Sequence, residues 1–144
     1  MKLCQLSLLL SATILLLSGC SGNLPTYPVE GQVVFEDGSS PMFGQIEFYN
    51  EAAKLNARGK INRDGTFTVG TYKENDGAVE GVHKVVIIQN TGSGLEVQLE
   101  VFVKHDHGAL VDRAYCDYRT SDLTCTIAPT TNRVKLLVRK SEDD

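Results

Sequence analysis

The sequence lacks the common signatures of a nucleophile, a nucleotide cradle or a zinc protease: there is no G-x-S-x-G, no P-loop and no H-E-x-x-H. No internal repeat is evident, which argues against a solenoid or propeller. There is no tryptophan, and aromatic residues are few. Basic residues form no cluster, and the formal net charge is −4. Such a balance makes nucleic acid a poor partner and argues against direct adhesion to anionic lipid. Beyond the first twenty residues there is no long apolar run and no stretch of helical periodicity.

The N-terminus has three parts. Lys2 is the only charge before Glu30, an apolar run follows from Leu8 to Leu17, and small residues then lead to a cysteine. A charged start, a short apolar core and a small-residue exit make up a secretory signal. The apolar stretch falls short of the roughly 20 residues that a spanning helix needs. Leu17-Ser18-Gly19-Cys20 resembles the lipobox of bacterial lipoproteins. That resemblance implies removal of residues 1–19 as a lipoprotein signal peptide and acylation of Cys20, which becomes the mature N-terminus. Several acyl chains anchor stably, since each buried CH₂ contributes about 0.8 kcal/mol. Ser21, by the same resemblance, permits the outer membrane. The domain is then expected in the periplasm or at the cell surface. The competing reading is an ordinary cleaved signal with a stray cysteine.

Cleavage there leaves 125 residues, enough for one domain with a core, and losing Lys2 takes the formal charge from −4 to −5. Residues 20–28 read as a short tether, 29–140 as the domain and 141–144 as an acidic tail. Alternation dominates the domain. Val29, Val33 and Phe35 share one parity, as do Ile46 and Phe48, then Ala57 and Ile61. Asn62-Arg63-Asp64-Gly65 is a hairpin turn leading into Thr66-Phe67-Thr68-Val69. Residues 81–88 read as a strand apolar on both faces near its end, which suits an interior place in a sheet. Residues 95–103, then Leu123, Cys125 and Ile127, then Val134, Leu136 and Val138 repeat the alternation. Seven or eight short strands with polar outer faces predict an all-β protein, an antiparallel β-sandwich.

Residues 27–88 resemble the carboxypeptidase regulatory-like, or transthyretin-like, family, and more closely its small lipoproteins in planctomycete-like bacteria. Three stretches carry the likeness in matching order: Pro28-Val29-Glu30-Gly31-Gln32-Val33-Val34-Phe35, Asn62-Arg63-Asp64-Gly65-Thr66-Phe67-Thr68-Val69, and Asp76-Gly77-Ala78-Val79-Glu80-Gly81-Val82-His83-Lys84-Val85. The resemblance implies a seven-stranded prealbumin-like or Ig-like sandwich and no catalytic activity. It implies a closing hairpin near 123–138 and a packing role for His83. Residues 95–118 depart from the family pattern and leave the strand order after Ile88 open.

Two groups could carry chemistry. Cys116 and Cys125 are the cysteines left after Cys4 is cleaved off and Cys20 acylated, and an even pair in an exported chain suggests a disulfide worth about 2–3 kcal/mol. The alternative is a buried thiol packing as a small hydrophobe, since Cys125 is in phase with Leu123 and Ile127. His105 and His107 would project to one side of a strand, with Asp112 or Asp117 as further ligands, but a zinc site wants three or four anchors with supporting contacts. Asp37, Asp64 and Asp76 each precede glycine and read as turn residues rather than calcium ligands. The expectation is a lipid-anchored, non-catalytic envelope module without a cofactor, holding a protein, glycan or small ligand. The alternative is a metal-binding accessory or metal-dependent enzyme using His105 and His107.

Overall fold

The structure, a computed structural model, describes residues 22–89 and 108–142. The signal segment, Cys20, the alternating run at 95–103, His105, His107 and residues 143–144 lie outside these. The described chain is all-β. It has nine strands: β1 (Thr26–Tyr27), β2 (Val29–Phe35), β3 (Gly44–Asn50), β4 (Leu55–Ile61), β5 (Thr66–Thr68), β6 (Ala78–Val79), β7 (Gly81–Ile88), β8 (Thr124–Ile127) and β9 (Asn132–Val138). The one helical piece among the described residues is a 3₁₀ turn, Arg113–Cys116, whose preceding Asp112 accepts from the Ala114 N–H.

Period-two patterning sets which side chains go inward. Val33, Phe35, Ile46, Phe48, Ala57, Ile61, Phe67, Val85, Ile87, Ile127, Leu136 and Val138, drawn from every strand of the main sheet, form one buried cluster. Between them Glu30, Gln32, Gln45, Arg58, Lys60, Arg133 and Lys135 point to water. In β7, Val85, Val86 and Ile87 are consecutive and buried, and β7 lies inside the sheet between β8 and β3, as its apolar run suggested.

Seven strands form a continuous sheet in the order β8-β7-β3-β4-β5-β2-β9, and β1 pairs with β6 in a separate ribbon. The sheet's two edges meet at one end. Residues 128–131 alone join Ile127 on β8 to Asn132 on β9. The buried Asn132 side chain fastens this corner, its Oδ1 accepting from Ala128 N–H at 2.9 Å and its Nδ2 donating to the Thr130 carbonyl at 2.7 Å. A seven-stranded sheet whose edges sit that close must curl around its core. Segment 108–123 lies along the remaining seam. Val111 bridges Lys140 beyond β9, Tyr115 is buried, and Leu123 accepts from the Val85 N–H at 2.9 Å.

Two expectations need correction. The last two strands form no hairpin, because β8 pairs with β7 while β9 pairs with β2. The β2–β9 pair is parallel, in register from Val29↔Asn132 to Phe35↔Val138, although the other pairs are antiparallel. Chain direction supplies the reason. β8 ends at Ile127, and residues 128–131 turn the chain at the end where β2 starts, so β9 runs alongside β2 in the same sense.

The Asp-Gly turns form as expected for two of three sites. The Asp37 carboxylate accepts from the Ser39 N–H and hydroxyl, and the Asp64 carboxylate from those of Thr66. Asp76 does more, gathering the consecutive N–H groups of Thr71, Tyr72 and Lys73 and so shaping the loop before β6.

Candidate functional site

The outer face of the curled sheet carries a shallow polar groove. Its deeper part encloses about 610 Å³ between Gln45 on β3, Arg58 and Lys60 on β4, Asn62, Thr68 on β5 and the loop residues Glu74 and Asn75. A second depression of about 470 Å³ shares Asn62 and Thr68 with it and continues over Gln32 and Glu30 of β2 to Arg133 and Lys135 of β9. Five adjacent strands at about 4.8 Å spacing make a strip roughly 19 Å across, polar at its Gln45 end and largely apolar along the floor of the second depression, where Gly31, Phe67 and Val134 line it.

Local pairing places these groups. Gln45 stands opposite Lys60, Gln32 opposite Thr66, and Glu30 opposite both Thr68 and Arg133. Asn62 donates to Thr66 Oγ1 at 3.0 Å, that hydroxyl donates to Asp64 at 2.6 Å, and Thr68 donates to Asn75 Oδ1 at 2.5 Å. The hydrogen bond from Thr66 holds the Asp64 carboxyl below its usual range. Side-chain amides and hydroxyls are thus oriented in advance, which reduces the ordering cost of binding. At one border Glu47 accepts from Arg58 Nε at 3.0 Å and from the Tyr118 hydroxyl at 3.1 Å, and the Tyr118 ring lies 5.6 Å from that of Tyr49. Burial, then the Glu47 charge, raise the Tyr118 hydroxyl above its ordinary pKa, so it stays a proton donor. Its side chains offer amides, hydroxyls, carboxylates and cations for hydrogen bonding.

The sequence-derived candidates fare differently. Cys116 and Cys125 are both free thiols, which corrects the expected disulfide. Cys125 faces the core opposite His83 and packs there as a small hydrophobe, whereas Cys116 ends the 3₁₀ turn exposed to solvent. Burial pushes the Cys125 thiol pKa up, making it a poor nucleophile. His105 and His107 lie outside the described residues. Asp112 is held by the Ala114 N–H and Arg139, and Asp117 by Arg119, which lowers the Asp117 carboxyl to about 2. Among the described residues no three His, Cys, Asp or Glu side chains converge on a metal position. The groove itself went unrecognised at the sequence level, because each member is an ordinary outward-facing residue of an alternating strand.

His83 is 1 % exposed, its Nδ1 3.0 Å from the Gly81 carbonyl and its ring edge-on to Phe48 at 6.3 Å. Its Nε2 is buried without a hydrogen-bond partner. Burial lowers its pKa below 6.5, so the fold holds it neutral. The folded state therefore binds fewer protons than the unfolded chain once pH drops below about 6.5. Its stabilising effect is complete above that pH and declines below it, by at most about 1.4 kcal/mol per pH unit. Thermal melts of wild type should lose midpoint between about pH 6.5 and 5, before carboxylates titrate. His83→Gln should flatten that limb, and an unchanged slope in the variant would contradict a neutral buried His83.

Comparison of the chain with protein-family models, curated proteins and solved structures finds no match in any of the three.

Proposed function

We propose that this protein is a lipid-anchored, non-catalytic module of the cell envelope that binds a protein or glycan through the outer-face groove. The signal anatomy and the lipobox-like Leu17-Ser18-Gly19-Cys20 support the anchor, with Cys20 as the acylated residue. Ser21 is compatible with the outer membrane. The groove carries the binding assignment, a row of amides, hydroxyls and cations from Gln45 to Lys135 in which Gln32, Asn62, Thr68 and Arg58 are already held by hydrogen bonds. The all-β sheet with seven strands and its Asp-Gly turns support a sandwich of the carboxypeptidase regulatory-like, transthyretin-like kind. No nucleic-acid partner belongs to this reading, since the chain is acidic overall.

Two measurements test it. Radioactive fatty acid should label the wild type and not Cys20→Ala; absence of label on the wild type would remove the anchor. Tagged wild-type protein drawn from detergent-solubilised membranes should bring down an envelope component that Lys60→Glu/Arg133→Glu loses. Equal recovery by both proteins would place binding elsewhere.

A further inference from the structure

The register of the sheet sorts its loops into two ends. β2 runs away from the tether, from Val29 to Phe35. Thr68 lies opposite Glu30, and Gly70 bridges Arg58, so β5 returns toward the tether end. Asn50 pairs with Leu55, Gly81 with Ile127, and Val29 with Asn132. Residues 50–55, 70–77 and 128–131 therefore share the end where the tether enters. The Asp37 turn, Ile88 and Lys140 lie at the other, with Lys140 Nζ 2.6 Å from Asp37.

The tether is also pinned at that end. Leu24 N–H donates to the Tyr72 hydroxyl at 3.0 Å, and Thr26 and Tyr27 pair with Val79 and Ala78. Pro28 O accepts from Asn132 N–H at 2.8 Å. Leu24 lies four residue steps beyond Cys20 and Thr26 six, spans of at most about 14 and 21 Å. A seven-residue strand adds about 23 Å before the opposite end is reached.

We infer that the tether end of the domain, formed by residues 50–55, 70–77 and 128–131, is its bilayer-facing surface, with a lipid headgroup layer as its partner. This rests on acylation of Cys20. Charge does not drive the contact, because Lys54 and Lys73 are matched there by Glu51, Glu74 and Glu80. The short pinned chain does. The groove then runs up the flank from its Glu74–Asn75 border at the bilayer-facing end, and the end carrying Asp37 and Lys140 projects outward.

Lysines report the orientation without new substitutions near either end. Full-length lipoprotein in phosphatidylethanolamine–phosphatidylglycerol vesicles is treated with a membrane-impermeant amine-acylating reagent, and each lysine is quantified by mass spectrometry. Cys20→Ala mixed with the same vesicles gives the reference ratios. Lys54 and Lys73 should be protected several-fold relative to Lys140 in the wild type only, and high salt should not reverse it. Copies enclosed within vesicles reduce all three lysines alike and leave the ratio unchanged. If the wild type takes up fatty acid yet the three lysines react in the reference ratio, or Lys140 is the protected one, the orientation is overturned. If fatty acid is not taken up, the anchor itself fails instead.

Discussion

Replacing Phe67 with alanine should cost the domain about 3–5 kcal/mol, the range for removing a buried aromatic ring. Set against a total stability of about 5–15 kcal/mol for a domain, that loss brings the variant near unfolding. Phe67 stands on the three-residue strand β5, which supplies few ladder bonds of its own. The ring is 2 % exposed, and its centroid lies 5.9 Å from that of Phe48. Its tip fills the space above Gly31, the residue opposite it on β2: a Cβ built there would lie 2.3 Å from the ring. One side chain thus joins β5, β2 and β3 across the core. Equilibrium denaturation of wild type, Phe67→Leu and Phe67→Ala measures this, with Phe67→Leu expected to retain most of the stability. A loss below about 1 kcal/mol for Phe67→Ala would show that the ring does not hold these strands together.

Gly59→Ala should be almost as damaging, at about 3 kcal/mol, the upper end for overpacking. A Cβ at position 59 would meet the Thr68 carbonyl oxygen at 1.9 Å and Val69 Cγ1 at 3.2 Å. Backbone cannot yield as a flexible side chain can. Moving β5 away would strain the two Arg58–Gly70 hydrogen bonds, each 2.9 Å, that lie one residue beyond. Gly38 makes an informative control. Its φ of +84° disfavours alanine, but nothing lies within 4 Å of a Cβ there. Gly38→Ala should lose only about 1–2 kcal/mol, the conformational term alone. If Gly38→Ala proved the more destabilising of the two, close strand approach would not be what requires glycine at 59.

Alternation made most strands legible. The inward residues of β2, β3, β4, β7 and β9 were readable because one face of each meets the core and the other meets water. The turns at Asp37 and Asp64 were readable because a short carboxylate beside glycine has a local job. Partner choice was not. Whether β9 pairs with β8 or with β2 depends on lateral strand order, a property of the whole sheet and of no window of sequence. The cysteine pair failed for a related reason, since an even count says nothing about direction, and Cys125 turns inward while Cys116 faces solvent. The groove was invisible because its residues come together only by lateral strand order, with Gln45 and Lys135 ninety residues apart in sequence.

The parallel seam between β2 and β9 has a consequence for the order of assembly. The pairing Val29↔Asn132 joins positions about a hundred residues apart, and nothing nearer along the chain can substitute for it. A ribosome releases β2 well before β9, so one flank of β2 stays unpaired until β9 has emerged. Such distant closure pays its loop entropy late and slows folding. Until then β2 is an open strand edge, the kind of surface on which neighbouring chains aggregate. Loss of β9 would leave that edge permanently open, so this strand serves as the clasp of the molecule.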